Sequence, residues 1–446
     1  NVLGFPYIFR GALDAGATAI NETMKLAAVK AIADLAKEPV PSVVNAAYGM
    51  SNLKFGRDYI LPKPLDPRLI TAVSPAVARG AMESGVARRP ITDWEAYNEK
   101  LRHLMGYDNK FMRRVTEEAR RNPKRVVFGE ANTDNMLTAA VNAYHDGVCI
   151  PVLLGNEEMI EKRAKRLGLD IEGIEIVNLR HDREAERREQ FAEKLAASRQ
   201  RRGITRPEAL ELMFDRNYFG MMMVETGQAD AMISGTYSGS KKAAKIAEEV
   251  VGIRPTYNHF ATMHILNTKR GTFFMADTTV NREVDEETLF DITRLARNSV
   301  EYFAHDPIMA MVSYSNFGSH KEKEPEVARR VVERMHEAYP DLPIDGEMQM
   351  SYALNKKARD AAYPFSRING KDVNTLIFPN LSAASTAYKM MLEMGLAEAV
   401  GPIQMGLNKP IHFISTDAAV RDIINLATVA VIDAAVLEKV GNGHDK

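Results

Sequence analysis

A short stretch near the C-terminus combines side chains suited to holding an anion and moving a proton. An apolar run at residues 411–414 predicts a strand, and Ser415, Thr416 and Asp417 follow it directly. Ser, Thr and Asp cap helix starts, because each accepts a hydrogen bond from a free backbone N–H. A helix that begins after a strand also favours negative charge at its first turn. The stretch therefore predicts an anion site, with Asp422 on the first helical turn as a candidate proton acceptor.

Three further clusters of small hydroxyl and amide side chains follow predicted strands. They are residues 130–134 (EANTD), 235–238 (GTYS) and 313–319 (SYSNFGS). In open α/β sheets, ligands bind beyond the carboxyl ends of the strands. One cluster is explained by ordinary capping, but four in one chain predict a shared cleft.

Several motifs of well-known chemistry fail on spacing. GTYSGSKK at residues 235–242 resembles a phosphate loop, but Ser240 separates the second glycine from the lysine, which argues against a triphosphate site. No G-x-G-x-x-G follows a strand and no G-x-S-x-G occurs, so no dinucleotide site or hydrolase elbow is predicted. His259 and His264 are five residues apart without a glutamate to complete a set, so no metal site is predicted. Cys149 lies in a predicted strand and is interpreted as an inert buried thiol.

The composition excludes several classes of protein. With 446 residues, 45% of them hydrophobic, the chain can form two or three domains. Its 58 basic and 59 acidic residues leave a net charge of −1, so neither nucleic acid nor a membrane surface is expected as a partner. A single cysteine excludes a disulfide framework and is typical of the cytoplasm. No apolar run approaches the roughly 20 residues that cross a bilayer, and no signal segment is seen.

From residue 125 the sequence alternates short apolar runs with helix-length segments. The runs are RVVFGE, CIPVLLG, IEIVN and ADAMISG, and then TFFMADT, IMAMVSYS and TLIFP. This alternation predicts βαβ units and mostly parallel sheets. Helices are predicted over residues 21–37, 74–85, 182–203 and 418–440. Residues 86–122 are interpreted as a charged boundary that leads into an amphipathic helix containing Leu101, Leu104, Phe111, Met112 and Val115. The Arg- and Glu-rich helix over 182–203 is expected to face solvent.

These runs also match known families. Residues 122–440 resemble phosphate acetyltransferases through LLGNEE, GQADAMISG, FFMADT, MAMVSYSNFGS, DLPIDGEMQ, LIFPNLSAAS and GPIQMGLNKPIH. Residues 1–85 resemble the end of a bacterial malic enzyme through NVLGFPYIFRGALDAGA. In this order, the two resemble the C-terminal part of a hybrid NADP-dependent malic enzyme. The chain starts without methionine in what reads as ordered core, so we expect a fragment of a longer protein.

The resemblance implies an α/β, phosphotransacetylase-like fold with two lobes, similar to isocitrate dehydrogenase. It is preceded by the C-terminal segment of a Rossmann-like malic enzyme domain. The implied boundaries are 1–85 for that segment, 86–121 for a linker helix, 122–255 with 405–440 for the first lobe, and 256–404 for the second. The acetyltransferase-like domain is implied to be regulatory, to bind acetyl-CoA or another acyl-CoA, and to assemble homo-oligomers.

Site residues are carried over from the resemblance one position at a time. The family motif Ser-Arg-Gly, followed by an Asp, keeps Ser415 and Asp422 but has Thr416 at the arginine. Two other family arginines are replaced by Asn135 and Lys245. Because losing one donor to a developing anion lowers rates ~10²–10³-fold, we expect negligible acetyl transfer at these degenerate positions. The residues predicted to bind the effector are Thr236, Tyr237, Ser238, Ser315, Asn316, Ser319, Asn380 and Ser415.

The resemblance leaves three hypotheses about function. In the first, this chain is the regulatory part of an enzyme that converts malate to pyruvate and CO2. NADP and a divalent metal (Mg or Mn) would be bound mostly upstream, and Asn1 would contact malate. The alternative is an active phosphate acetyltransferase that makes acetyl-CoA from acetyl phosphate and CoA. The third is a purely structural oligomerisation domain.

Overall fold

The structure is a computed structural model that describes residues 1–38, 40–48, 53–104, 110–235, 240–303, 305–415 and 418–443. It divides into two compact units. The first unit is Asn1–Lys110 with Lys165–Asp170, and the second unit is Phe111–Ala164 with Ile171–Lys446. Within these residues, no helix is both long and apolar enough to cross a membrane.

The first unit is helical, and two of its helices form the centre of its core. Its helices are α1 Phe5–Asp14, α2 Glu22–Lys37, α3 Ser42–Ala47, α4 Leu69–Glu83 and α5 Trp94–Leu104. Asn21 caps α2 by accepting from the backbone N–H of Met24, as the sequence predicts for residues 21–37. Met24 and Leu35 of α2 are buried in one cluster with Val73 and Val77 of α4.

The prediction that a helix starts at Ser74 is wrong about its first residue. α4 begins at Leu69 and continues through Pro75 in its interior. An interior proline costs about 3 kcal/mol because it lacks the N–H of one helical bond. Leu69, Ile70 and Val73 are all buried in the earlier turns, and burying each stabilises by about 2 kcal/mol. The apolar face therefore outweighs the proline, which the sequence alone suggested as a helix start.

The second unit contains two sheets. Its strands are β1 Arg125–Phe128, β2 Ile150–Leu154, β3 Glu175–Val177, β4 Ala231–Ser234, β5 Ala261–Thr268, β6 Gly271–Ala276, β7 Met309–Val312, β8 Ile344–Met348, β9 Thr375–Ile377, β10 Ala397–Met405 and β11 Ile411–Phe413. The helices after α5 are α6 Lys110–Arg121, α7 Asp134–His145, α8 Glu157–Leu167, α9 Ala185–Arg199, α10 Arg206–Leu212, α11 Arg216–Glu225, α12 Ser240–Val250, α13 Glu286–Tyr302, α14 Lys323–Ala338, α15 Met350–Leu354, α16 Lys356–Ala362, α17 Leu381–Glu393 and α18 Val420–Gly443.

The predicted, mostly parallel sheets are confirmed. The first sheet has the order β11-β4-β1-β2-β3, and all its neighbouring strands are parallel. The second sheet has the order β10-β5-β6-β9-β7-β8, with antiparallel pairing only where β5 meets β10 and β6. α18 contacts α7, β1 and β4, so the last helix lies against the first sheet. The lobe boundaries implied by the resemblance stay predictions.

Two predicted helices differ in detail from the structure. The amphipathic helix predicted to contain Leu101, Phe111 and Val115 falls on two helices, since Leu101 lies on α5 and the other two lie on α6. Residues 105–109 between α5 and α6 lie outside the described residues. The helix predicted to face solvent over 182–203 does so with one face, where Glu186, Glu189 and Glu193 are exposed, but Phe191 and Leu195 on the other face of α9 are buried in the core. Arg188 of the same face is buried too, and its Nη1 donates to Leu179 O at 2.6 Å.

β5 carries one buried imidazole, His264, which is only 5% exposed. Its Nδ1 lies 2.8 Å from Thr278 Oγ1, and its ring stacks on Tyr388 with centroids 4.2 Å apart. Burial, and then the nearby charge of Lys389, lower the pKa of His264 to about 3. The folded protein therefore holds this imidazole neutral at pH values where the unfolded chain protonates it.

We expect the second unit to lose stability as the pH falls below about 6.5, because the unfolded chain then binds a proton that the folded chain excludes. The loss is roughly 1.4 kcal/mol per pH unit, or about 2 kcal/mol between pH 7 and 5. Urea unfolding followed by circular dichroism at several pH values measures it. His264→Phe keeps a ring beside Tyr388 but cannot titrate. Between pH 7 and 5 the variant should therefore lose about 2 kcal/mol less stability than the unmodified chain. Equal pH dependence in both proteins would contradict the assignment.

Candidate functional site

Three of the four predicted clusters follow neighbouring strands of the first sheet. β11, β4 and β1 are adjacent, with Phe128 paired to Ile233 and Phe413 paired to Ser234. The described residues that directly follow these strands, Gly129, Gly235 and Ile414, therefore emerge side by side at one carboxyl edge. The fourth cluster follows β7 in the second sheet, so a cleft shared by all four stays a prediction.

Gly235 brings the ends of β4 and β11 into close approach. Its φ is +118°, and a Cβ at this position would lie 2.6 Å from the carbonyl oxygen of Ile414. Only glycine adopts this backbone conformation readily, and only glycine leaves room for the neighbouring carbonyl. Close packing against Ile414 therefore explains why glycine is the first residue of GTYSGSKK.

Glu130, directly beyond β1, is fully buried at this edge. Its two carboxylate oxygens accept from the Gly235 backbone N–H at 3.3 and 3.2 Å, and Ser234 Oγ lies 3.3 Å from one of them. The carboxylate therefore ties the end of β1 to the turn after β4. The sequence marked Glu130 only as the first residue of a polar cluster.

We expect Glu130→Ala to destabilise the second unit by about 2–3 kcal/mol, because it leaves a buried backbone N–H without an acceptor. Glu130→Gln keeps an acceptor oxygen in the same place, so its loss should be about 1 kcal/mol or less. The only tryptophan, Trp94, lies in the first unit. Circular dichroism should therefore show the shift in the urea transition while tryptophan emission does not. Equal effects of Ala and Gln would contradict the role of the acceptor.

The loop before α18 corrects the predicted capping. The helix begins at Val420, so Ser415 is not its cap, and Thr416 and Asp417 lie outside the described residues. Asp422, on the first turn as predicted, accepts from the Ala419 backbone N–H at 3.1 Å. A carboxylate three residues into the helix thus accepts from the backbone N–H of the residue before the helix, as in a capping box. Ser415 and Asp422 are both exposed.

Asn135 joins the cluster after β1 to this loop. It lies on the first turn of α7, and its Nδ2 donates to the carbonyl oxygen of Ala418 at 3.0 Å. Lys245 lies on α12 with an exposed side chain. The predicted effector residues Thr236, Tyr237 and Ser238 lie outside the described residues.

Two arginines that the sequence did not single out lie at the same edge. Arg216 begins α11, and its Nη1 donates to Asn132 Oδ1 at 3.1 Å. Arg163 of α8 pairs with Asp134. Both contact the polar cluster after β1, so this edge carries guanidinium groups, at positions other than those that the resemblance implies. Nothing in their local sequence distinguishes them from other surface arginines.

The cluster after β7 is held by a second buried glutamate. Glu347 of β8 accepts from Ser315 Oγ at 2.8 Å and from the Gly318 backbone N–H at 2.7 Å. Ser319 Oγ accepts from the Asn316 backbone N–H at 2.9 Å. Ser315 has no exposed surface, so its side chain cannot touch an effector here. Asn316 and Ser319 retain exposed surface.

Asn380 has a capping role. It precedes α17, where its Oδ1 accepts from the Ala383 backbone N–H at 2.9 Å. Its Nδ2 donates to Glu324 Oε2 of α14 at 2.8 Å. β9 lies beside β7, so Asn380 follows the strand next to the one that precedes the Ser315 loop.

The other residues that the sequence analysis named, Cys149, His259, His264 and Asn1, have the following surroundings. Cys149 is 2% exposed, and burial raises the pKa of its thiol to about 12, which confirms the inert interpretation. His259 Nδ1 faces Asp291 Oδ2 at 3.1 Å, whereas His264 faces Thr278. Among the described residues, no three His, Cys, Asp or Glu side chains are grouped to hold a metal ion. Asn1 is exposed, and its carbonyl oxygen accepts from the Phe5 backbone N–H at 2.8 Å.

Comparison with known proteins supports both halves of the resemblance. The chain is 41% identical over 439 residues to the NADP-dependent malic enzyme of Salmonella typhimurium, covering 97% of this chain and 57% of that protein. It thus spans little more than half the length of such relatives. It is 31% identical over 320 residues to a phosphate acetyltransferase of Corynebacterium glutamicum, covering 72% of this chain and 96% of that protein.

The fold comparison agrees with the sequence comparison. A phosphotransacetylase from Streptococcus pyogenes superposes with a TM-score of 0.68 at 26% identity, covering 74% of this chain and 99% of that one. The predicted phosphotransacetylase-like fold is therefore confirmed. The sequence model of the family described as Phosphate acetyl/butaryl transferase matches residues 110–431. With nearly three quarters of its length matched and the fold in agreement, the chain belongs to the phosphate acetyl/butaryl transferase family.

Proposed function

We propose that this chain is the regulatory C-terminal portion of an NADP-dependent malic enzyme. Acetyl-CoA binds at the carboxyl edge of the first sheet and lowers malate oxidation by the remainder of the protein. The similarity to named malic enzymes over 97% of the chain supports the parent activity, the conversion of malate to pyruvate and CO2. Linkage requires that acetyl-CoA favour one state of the whole protein over another.

The observation that supports a regulatory role most directly is the hydrogen bond made by Asn135. At a position where the resemblance implies an arginine, its amide ties the α18 loop through the carbonyl oxygen of Ala418. A neutral amide used in this way supplies no cation to a phosphate leaving group. Thr416 is neutral as well, and Lys245 keeps a charge without the planar fork of arginine. Transfer requires those cations in the transition state, whereas binding does not.

Arg216 and Arg163 support the binding half of the proposal. CoA carries phosphates, and guanidinium groups pair with phosphate through two parallel hydrogen bonds. Arg216 contacts the cluster after β1, directly beside the strand end whose turn Glu130 holds. We assign the effector to this edge, with Ser415 and Asp422 at the α18 loop. Asn316, Ser319 and Asn380 follow strands of the second sheet, so they would contact acetyl-CoA only if the ligand also reaches that sheet.

Titration calorimetry of the chain with acetyl-CoA tests binding. Saturable heat at micromolar to millimolar concentration is the expected result, and no binding at millimolar concentration would overturn the proposal. The same preparation should form no measurable acetyl-CoA from acetyl phosphate and CoA. The alternative, an active phosphate acetyltransferase, is favoured by the retained Ser415 and Asp422 and predicts turnover in that assay. A structural oligomerisation domain predicts neither heat nor turnover.

We expect Arg216→Ala to weaken acetyl-CoA binding about 10-fold or more, because a charge-assisted hydrogen bond to an anion stabilises by roughly 1.5–3 kcal/mol. Arg206→Ala is the matched control, since Arg206 pairs with Glu189 on the surface at α10. Calorimetry on both variants measures the difference. If the two variants bind alike, the effector phosphates lie elsewhere.

The remaining assignments belong to the same proposal. Homo-oligomers form through the acetyltransferase-like unit in the cytoplasm, and sedimentation velocity tests the assembly. NADP and a divalent metal serve the malate chemistry of the whole protein.

A further inference from the structure

One ion pair joins the last helix, which lies against the first sheet, to the second sheet. Arg421 lies on the first turn of α18 and donates twice to Glu398 of β10, from Nη2 to Oε2 at 2.8 Å and from Nη1 to Oε1 at 3.3 Å. α18 contacts β1 and β4 of the first sheet, whereas β10 is an edge strand of the second sheet. The guanidinium therefore reaches from the helix start at the candidate site to a different sheet.

The position of Arg421 on its helix is electrostatically unfavourable. The free N–H groups at a helix N-terminus carry partial positive charge, so a cation on the first turn is disfavoured by roughly 2- to 5-fold in an equilibrium constant. Asp422, the next residue, accepts from the Ala419 backbone N–H at 3.1 Å. An anion near this turn would compensate the charge of both the helix end and the guanidinium. The phosphates of the proposed effector supply such an anion.

The ion pair with Glu398 is weak enough to be exchanged for another anion. The side chains of Arg421 and Glu398 are 57% and 48% exposed, and exposed ion pairs shift an equilibrium by only roughly 1- to 5-fold. A phosphate group offers the same guanidinium parallel, charge-assisted hydrogen bonds. A phosphate and the Glu398 carboxylate also repel each other when both approach Arg421. The two anions therefore compete for one guanidinium.

We propose that the Arg421–Glu398 ion pair is an anion-sensitive latch between α18 and the second sheet. In the free protein, Arg421 binds Glu398 and links α18 to β10. When acetyl-CoA occupies the edge beside Ser415 and Asp422, Arg421 binds one of its phosphates and releases Glu398. The latch rests on the proposed effector site, and it adds a route by which binding at the first sheet changes a contact of the second.

The latch makes a quantitative prediction for Glu398→Gln, which keeps the size of the side chain and removes its charge. Coupling between two interactions is reciprocal, so removing the competing carboxylate strengthens acetyl-CoA binding by the factor by which acetyl-CoA weakens the ion pair. We expect Glu398→Gln to bind acetyl-CoA about 3-fold more tightly than the unmodified chain, within the range of an exposed ion pair. Titration calorimetry measures both dissociation constants.

Glu393→Gln is the matched control for charge alone. Glu393 is exposed on α17, five residues before Glu398, and its substitution changes the net charge by the same amount. Because exposed charges that touch no ligand are screened by salt, its dissociation constant should stay within about 1.5-fold of the unmodified value. Equal gains in Glu393→Gln and Glu398→Gln would overturn the latch, as would unchanged affinity in Glu398→Gln.

A cycle with Arg421→Gln shows whether the gain passes through the guanidinium. Arg421→Gln should weaken acetyl-CoA binding about 10-fold, because it removes charge-assisted hydrogen bonds to phosphate. Adding Glu398→Gln to this variant should then change nothing further, since the two residues act as one pair. Arg421 and Glu398 are exposed, and circular dichroism checks that each variant folds. A gain from Glu398→Gln that persists without Arg421 would overturn the latch.

Inorganic pyrophosphate separates the latch from the effector assignment, because it is an anion without the acyl, pantetheine or adenosine groups of acetyl-CoA. At millimolar concentration it should bind most tightly to Glu398→Gln, less tightly to the unmodified chain and least tightly to Arg421→Gln. If this order holds but acetyl-CoA does not bind, the effector assignment falls and the anion-sensitive contact stands. If acetyl-CoA binds all variants with one affinity, the latch falls and the proposed function stands.

Discussion

Replacing Asn135, Lys245 and Thr416 together by arginine is expected to raise phosphate acetyltransferase activity by at least about 100-fold over the unmodified chain. The reaction joins the CoA thiol to the acetyl carbon and releases phosphate, whose developing charge needs cations. Ser415 and Asp422 are already present at the α18 loop, and Asp422 remains exposed there. Formation of acetyl-CoA from acetyl phosphate and CoA measures the gain.

Single substitutions and a surface control make this result interpretable. Asn135→Arg also removes the hydrogen bond from the Asn135 side chain to the carbonyl oxygen of Ala418. The stability of this variant should therefore be measured together with its activity. As the control, Asn122→Arg, Lys162→Arg and Gln190→Arg at exposed sites elsewhere add the same two positive charges and should give no gain. If the triple variant folds, binds acetyl-CoA and still shows no turnover, the missing guanidinium groups are not the reason that transfer is absent.

Arg359→Met is expected to destabilise the second unit by about 4 kcal/mol, because four carbonyl groups lose a charged donor at once. Arg359 has no exposed surface. Its Nη1 donates to Ala353 O at 3.2 Å and to Tyr352 O at 3.4 Å, and its Nη2 donates to Ile368 O at 3.0 Å and Lys371 O at 2.6 Å. The guanidinium thus joins α15 and α16 to the loop before β9.

Urea unfolding followed by circular dichroism measures the Arg359 effect, with Trp94 emission as the report on the first unit. Lys357→Ala is the matched control on α16, since Lys357 is exposed and its loss should change stability by less than about 0.5 kcal/mol. Arg359→Lys should lie between them, because an ammonium cannot reach all four carbonyls. A loss below 1 kcal/mol in Arg359→Met would show that water replaces the guanidinium.

The predicted loss of transfer and the predicted retention of binding have one physical origin. Glu130, Gly235 and the β11 end shape the edge, and these contacts are backbone and burial features. The arginines act only on charge that develops during reaction. A chain can lose the arginines without disturbing the contacts that shape the edge. Such a site can therefore still bind a ligand without converting it to product.

The sequence by itself determined the fold class, because its apolar runs recur at strand length between helix-length segments, and the mostly parallel sheets follow from that order. It also determined that Asp422 lies on a first helical turn and that Cys149 is inert. It did not determine the start of α4, because the proline was a strong local signal, whereas Leu69 and Ile70 are buried by the tertiary packing of the first-unit core.

Only the tertiary structure decided which charged groups became structural. Glu130 and Gly235 are 105 residues apart, and the four carbonyls around Arg359 come from two separate segments. Burial of a carboxylate or guanidinium depends on neighbours that parallel strand order brings together, and local composition carries no trace of them. For the same reason the sequence did not predict that Ser315 is buried or that Arg216 contacts the first-sheet edge. It also did not predict the hydrogen bond from Asn135 to the α18 loop.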